Sequence, residues 1–170
     1  MKKLLILFTA AVLCLSFAAC GGSSSGSTSS SASEKAETSA AKISNPWTDC
    51  DSLDDAIKIS GVDITVPASI DGYPNIVYRA MKNSMIEIIY KNGNEEIRVR
   101  KASGSDDISG DYNTYDQSQK ITEHNTDVTL KGSKDKISLA LWQKSGSSFS
   151  VSFSPSVTSE YAQNIVSQIS

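Results

Sequence analysis

Residues 85–101 read MIEIIYKNGNEEIRVRK, the pattern from which the predicted β-sheet is built. On both sides of the turn signal Asn92-Gly93-Asn94, large apolar side chains recur at every second position. This period of two is typical of a hairpin whose strands have one buried and one solvated face. We expect the buried face to carry Ile86, Ile88, Tyr90, Ile97 and Val99, and the solvated face to carry Arg98 and Arg100.

The same alternation recurs along most of the following chain. It predicts further strands at residues 76–80, 127–131, 137–142 and 149–153. Residues 62–67 alternate and stop at a proline, which predicts a short edge strand. Residues 112–124 show no clear period, although 120–123 is a candidate strand.

Helix signals stand at both ends of this strand-rich region. Ser52 is a predicted N-cap with Asp55 three residues later, and Gly61 is a predicted stop. Thr158 is predicted to cap the second helix. The apolar faces comprise Leu53, Ala56 and Ile57 in the first helix and Tyr161, Ala162, Ile165, Val166 and Ile169 in the second. The predicted fold class is α+β, a mostly antiparallel β-sheet meander of about six strands with an N-terminal and a C-terminal helix packed on it.

The N-terminus carries a targeting signal. Two lysines precede sixteen uncharged, mostly apolar residues, which is fewer than the about 20 needed to span a bilayer as a helix. The sequence Phe17-Ala18-Ala19-Cys20 resembles the lipobox of bacterial lipoproteins. The resemblance implies a lipoprotein signal peptide at residues 1–19 and a diacylglyceryl thioether on Cys20. The alternative is an ordinary signal peptide cut at the same point, which would release a soluble protein.

A polar stretch separates Cys20 from the domain. Residues 21–44 are dominated by Ser, Gly, Ala and Thr, and the first large apolar residue is Ile43. Such a composition buries too little surface to offset the entropy of ordering, so we expect a flexible linker. A single domain is expected at residues 45–170, held at the extracellular face of the cell membrane by the lipid on Cys20.

Charge and cysteine content argue against a nucleic-acid partner, a disulfide in the domain and a zinc site. The net charge of −3 becomes −5 if the two N-terminal lysines leave with the signal. Nucleic acid is not an expected partner, because binding its phosphates requires clusters of Lys and Arg. Cys50 is the only cysteine after Cys20, so no intramolecular disulfide is expected in the domain. No cofactor is expected either, since one histidine and one spare cysteine are too few for a zinc site.

Several segments together resemble an uncharacterised family of extracellular domains. They are residues 98–102, 107–112, 128–132 and 140–142, followed by the Ser/Phe alternation that leads into the terminal helix. The family occurs in small Gram-positive lipoproteins and, in related form, in anti-sigma-factor-like membrane proteins. The resemblance covers residues 50–169 and implies the fold and an extracellular location, but it supplies no catalytic residues.

A basic and aromatic patch is one candidate binding site. Basic residues after the hairpin turn could face one way beside aromatic side chains, and such a patch would suit an acidic peptide or envelope polymer. The residues concerned are Arg98, Arg100, Lys101, Tyr112, Tyr115 and Trp142. The alternative is a solvated sheet face whose cations pair with Glu87, Glu95 and Glu96 across the strands.

An acidic loop is a candidate metal site. Asp106, Asp107 and Asp111 lie in a Gly-rich stretch, and hard cations such as Ca²⁺ prefer carboxylate oxygens. The loop lacks the EF-hand spacing, so the alternative is a solvated turn.

The sequence contains no recognisable catalytic motif. We therefore expect a non-catalytic binding or interaction domain, not an enzyme. The solvated sheet face at Arg98 and Arg100 and loop 103–115 are where we expect a ligand. The partners of the domain, besides the membrane, would be an envelope polymer or a membrane protein. One alternative is a cell-envelope hydrolase that uses acidic residues or His124. Another is a regulatory or sensing domain that acts through a membrane partner.

Overall fold

A computed structural model describes residues 45–170, which form one antiparallel sheet of eight strands and two helices. The elements in chain order are β1 (Thr48–Cys50), α1 (Leu53–Ser60), β2 (Asn75–Met81), β3 (Met85–Asn92), β4 (Glu95–Ser103), β5 (Gln117–Glu123), β6 (Thr126–Ser133), β7 (Lys136–Lys144), β8 (Ser147–Thr158) and α2 (Ser159–Ser167). The predictions for the signal peptide at 1–19, Cys20 and the linker at 21–44 lie outside the described residues.

The sheet consists of two four-stranded meanders joined side by side. Within residues 45–170 the strand order is β1-β2-β3-β4-β8-β7-β6-β5, and β4 pairs with β8. The prediction of a single meander of about six strands is therefore wrong in count and connectivity. The two edge strands account for the difference. β1 has only three residues, too few to show a period, and β5 has almost no apolar side chains.

One face of the sheet, here called the helix face, carries the hydrophobic core. In its central row Ile88 pairs with Val99, Val99 with Val151, Val151 with Ala140, and Ala140 with Leu130. All five are fully buried. α1 packs on β2 and β3, whereas α2 packs on β7 and β8. The core residues contributed by the covering segments are Ala56, Val62, Ile64, Ile70, Ala162, Ile165, Val166 and Ile169.

Both predicted helix caps are confirmed. The Ser52 hydroxyl accepts a hydrogen bond from the backbone N–H of Asp55 at 3.1 Å, and Gly61 ends α1 with a φ of 67°. The Thr158 hydroxyl accepts from the backbone N–H of Tyr161 at 3.2 Å. These bonds satisfy amide groups that the first turn of a helix leaves without partners.

The predicted edge strand at 62–67 is not a strand of the sheet. The segment instead crosses the helix face, where Val62 and Ile64 are buried. Thr65 exchanges two backbone hydrogen bonds with Ser170, at 2.8 and 3.1 Å. The alternation of this segment reflects one buried and one exposed side, but its backbone partner is the C-terminus and not a strand of the sheet.

A β-bulge in the second meander requires a glycine. The register of β6 against β7 shifts between Lys131 and Gly132. A Cβ atom added to Gly132 would lie 1.8 Å from the carbonyl oxygen of Lys136 and 3.0 Å from the Cα of Ile137. Both are backbone atoms of the neighbouring strand, so the ladder itself would have to move.

We expect Gly132→Ala to lower the free energy of unfolding by about 3 kcal/mol, because it overpacks two paired backbones. Urea denaturation followed by tryptophan fluorescence measures the loss. Gly61→Ala is the matched control: nothing lies within 4 Å of its added Cβ, and only its left-handed φ costs about 1 kcal/mol. Equal losses in the two variants would contradict the role assigned to Gly132.

Candidate binding site

The second face of the sheet, opposite the helix face, contains a buried carboxylate. Glu87 on β3 has no solvent-exposed surface, and three guanidinium groups surround it. Its Oε1 lies 3.1 Å from Nη1 of Arg79, and its Oε2 lies 2.7 Å from Nε of Arg100 and 3.7 Å from Nε of Arg98. The register explains the geometry, since Glu87 pairs directly with Arg79 on β2 and Arg100 on β4.

Two further carboxylates complete what we call the Glu87 cluster. Arg79 also contacts Asp49 at 3.2 Å, and Arg98 donates to Glu96 at 2.7 Å. Three cations thus face three anions. Because an unpaired buried carboxylate would cost several kcal/mol, the arginines are needed to keep Glu87 in place. The alternative expectation of cross-strand pairing is confirmed for Glu87. Glu96 instead pairs with Arg98 on its own strand, and Glu95 forms no ion pair within residues 45–170.

Two chain segments cover the Glu87 cluster. Nη1 of Arg100 donates to the carbonyl oxygens of Ile108 and Ser109 at 3.1 and 2.5 Å, which fixes the loop between β4 and β5. The ring of Trp47 lies 5.2 Å from Cζ of Arg79 and 5.4 Å from Cζ of Arg100, within cation–π range. The side chain of Arg100 is only 13% exposed as a result.

The predicted basic and aromatic patch does not form as one surface. Lys101 faces away from Arg98 and Arg100, because successive residues of a strand point to opposite sides. Its Nζ lies 4.8 Å from the ring centroid of Phe149, which stacks on Trp142 at 4.9 Å. Trp142 is only 6% exposed, so it is a core residue and not an open stacking platform.

The tyrosines of the loop have different surroundings. Tyr112 is 98% exposed. The hydroxyl of Tyr115 donates to the carboxylate of Asp111, and burial followed by this contact raises the pKa of Tyr115. Tyr115 therefore organises the loop, whereas Tyr112 is free to contact a partner.

The structure does not gather the predicted metal ligands. Within residues 45–170 no three His, Cys, Asp or Glu side chains converge as a metal site. Asp107 accepts two hydrogen bonds from Ser109, at 2.9 and 2.6 Å. Burial opposes ionisation of Asp111, yet hydrogen bonds, first among them that from Tyr115, lower its pKa overall. The three aspartates Asp106, Asp107 and Asp111 therefore do not converge on one ion. Asp107 and Asp111 instead accept hydrogen bonds within local turns.

An open groove lies between residues 105–107 and the tips of the β5–β6 and β7–β8 hairpins. This large groove has a volume of about 820 Å³. Gln143 donates to the Ser105 carbonyl at 2.6 Å and joins the loop to the sheet. The charged residues of the lining are Asp106, Asp107, Lys120, Asp127 and Lys144. None of them forms an ion pair within the described part of the chain, in contrast to the Glu87 cluster.

Sequence reasoning found only part of this lining. It named Asp106, Asp107 and Trp142, but missed Lys120 and Asp127. The residues come from separate hairpin tips, and no local pattern shows which tips meet in the folded sheet.

His124 and Cys50 are not assembled into a nucleophile–base pair in the described part of the chain. His124 lies in the β5–β6 turn with 67% of its side chain exposed, and its Nε2 is 3.7 Å from Glu123. Within residues 45–170 no hydroxyl or thiol group hydrogen-bonds to His124. Burial, then Asp55, Asp49 and Asp51, raise the pKa of Cys50, which disfavours its nucleophilic thiolate.

Helices in the described range are all too short or too polar to span a membrane. The chain matches no protein-family model, no curated protein and no solved structure in the comparisons with known proteins. Function must therefore be inferred from the residues and their geometry.

Glu87→Ala should lower the free energy of unfolding by about 3–5 kcal/mol, because it leaves three guanidinium groups around a site without its carboxylate. Glu96→Ala removes a partly exposed partner of the same cluster and should cost about 1 kcal/mol or less. Urea denaturation of both variants tests the difference. A Glu87→Ala protein as stable as Glu96→Ala would show that Glu87 is not the centre of the cluster.

Proposed function

We propose that the protein is a non-catalytic binding module of the α+β class, anchored through lipid on Cys20 at the extracellular face of the membrane. Its ligand would occupy the large groove. The observation that carries this proposal is the set of charged groove residues without ion-pair partners. Concave sites with a few convergent polar groups are the usual places for ligands, and loops on a rigid sheet commonly supply them.

The second face near the Glu87 cluster supports a ligand less well. Arg98 and Arg100 already bind Glu87, and Arg100 also binds the covering loop. A ligand there would have to break charge-assisted hydrogen bonds before forming new ones. The charged residues of the large groove have no ion pair to break within the described part of the chain, and among them Asp107 accepts hydrogen bonds from Ser109 only.

The lining of the large groove favours a polar ligand. Its lining combines aspartates and lysines with amide groups such as those of Asn125 and Gln143. A polar component of the cell envelope, either a polymer or a protein, fits this chemistry and the proposed location.

The anchor is tested by expressing the whole chain in a bacterium that processes lipoproteins. We expect the wild-type chain to carry a diacylglyceryl group on Cys20 and to enter the detergent phase on Triton X-114 partitioning. Cys20→Ser should remain in the aqueous phase, whereas Cys14→Ser should behave like the wild type. An N-terminus beginning with an unmodified Cys20 in the mass spectrum would refute the anchor.

The groove is tested by titrating the full chain in detergent with fractions of cell-envelope polymer and protein. We expect at least one fraction to bind, and the double variant Asp106→Lys/Asp127→Lys to weaken that binding by about tenfold, because it reverses two charges of the lining. The control is Asp63→Lys/Asp71→Lys, which reverses two exposed charges outside the groove. No binding by the wild type, or equal weakening in both double variants, would refute the groove as the site.

A further inference from the structure

β5 leaves one edge of the sheet without a partner strand. Within residues 45–170 it pairs only with β6 and ends the strand order. It has seven residues, and most of its side chains are exposed. The opposite edge strand, β1, has only three residues.

The hairpin geometry shows which backbone groups of β5 are free. The two turn residues, His124 and Asn125, have φ values of 46° and 60°, as in a type I′ turn. The closing pair of such a hairpin, here Glu123 and Thr126, exchanges hydrogen bonds, and bonded and non-bonded pairs then alternate. The residues whose N–H and C=O groups point to the open edge are therefore Ser118, Lys120 and Thr122.

A groove lies beside β5 on each face of the sheet. Lys120 pairs with Thr129 on the second face, where both line the large groove. Gln119 pairs with Leu130 on the helix face, where both line a smaller groove of about 440 Å³. A strand added to the edge would direct alternate side chains toward the two grooves.

The two grooves differ in charge. The smaller groove is lined by Asp116 and Asp135 and by no lysine. Lys134 and Lys136 flank Asp135 in sequence, but no lysine nitrogen among the described residues lies within 4 Å of either carboxylate. The large groove presents Lys120 directly beside the edge. The two grooves would thus favour an added strand that carries basic side chains on the side of the smaller groove and neutral or acidic side chains beside Lys120.

We propose that β5 is a strand-addition site for an extended peptide segment of a partner protein, with basic residues at the alternate positions that face Asp116 and Asp135. This inference rests on the proposed function, because it names the partner class of the binding module. Backbone hydrogen bonds to Ser118, Lys120 and Thr122 supply affinity, and the acidic groove selects the side chains.

A second copy of the chain fits this edge less well. Lys120 is the middle residue of β5, so antiparallel pairing centred on it would place two lysines opposite each other. Like charges directly opposite are destabilising in a sheet. Self-pairing would also bring together two acidic grooves.

The test measures the binding of short capped peptides to the full chain in detergent. Each peptide has about nine residues, which is long enough to cover β5. A peptide alternating Lys and Thr should bind and should slow hydrogen exchange at Ser118, Lys120 and Thr122. The matched peptide alternating Glu and Thr should bind about tenfold more weakly or not at all. Equal affinity for the two peptides would overturn the charge selection.

A protein variant and a modified peptide test the edge itself. Thr122→Pro removes one N–H that points to the open edge and leaves the hydrogen bonds between β5 and β6 intact. It should weaken binding of the Lys/Thr peptide about tenfold relative to the Thr122→Val variant. If Thr122→Pro does not fold, N-methylation along one edge of the peptide replaces it. Methyl groups on the edge that faces β5 should abolish binding, whereas methyl groups on the outer edge should not.

The outcomes separate this inference from the proposed function. If the Lys/Thr peptide does not bind but an envelope fraction still binds through the large groove, strand addition is refuted and the binding module stands. If neither binds, both fail. Concentration-dependent dimerisation in analytical ultracentrifugation that Thr122→Pro abolishes would identify a second copy as the occupant and overturn the peptide proposal.

Discussion

A carboxylate without solvent contact lies on the sheet's second face, and much of that face depends on it. Glu87 belongs to an interior strand and has no solvent-exposed surface, so water cannot solvate its charge. Direct pairing with Arg79 and Arg100 compensates this cost, and those arginines in turn hold Trp47 and the loop after β4. One carboxylate thereby links three strands, the start of the domain and the loop between β4 and β5.

This arrangement makes the two meanders unequal. On the second face of the first meander, β1 to β4, the three arginines are paired with anions, and other parts of the chain cover Arg79 and Arg100. On the second meander, β5 to β8, charged side chains such as Lys120 and Asp127 line an open groove. The ion pairs of the first meander stabilise the fold, whereas the charged groove residues of the second meander have no ion-pair partner within residues 45–170. The proposed ligand site therefore lies in the second meander.

Local signals in the sequence predicted the local structure well. The hairpin around Gly93, the helix caps at Ser52 and Thr158, and the buried face of β3 and β4 all follow from interactions between residues close in sequence. The pairing of β4 with β8 brings together segments about 50 residues apart, and no local pattern encodes it. The burial of Glu87 was missed for the same reason, since a charged residue on a face expected to be solvated gives no sign that a distant loop will cover it.

The two edges of the sheet are protected in different ways. β1 is short, and Asp49 in it is paired to Arg79, so little free backbone remains for another strand. β5 is longer and polar, with Lys120 at its centre. A central lysine on an edge strand discourages pairing with identical strands, because their charges would meet. It does not block a strand that places a neutral or acidic residue opposite it. Under the strand-addition proposal, the edge would therefore discriminate between strands by charge, and the two grooves beside it would receive the alternate side chains of a peptide.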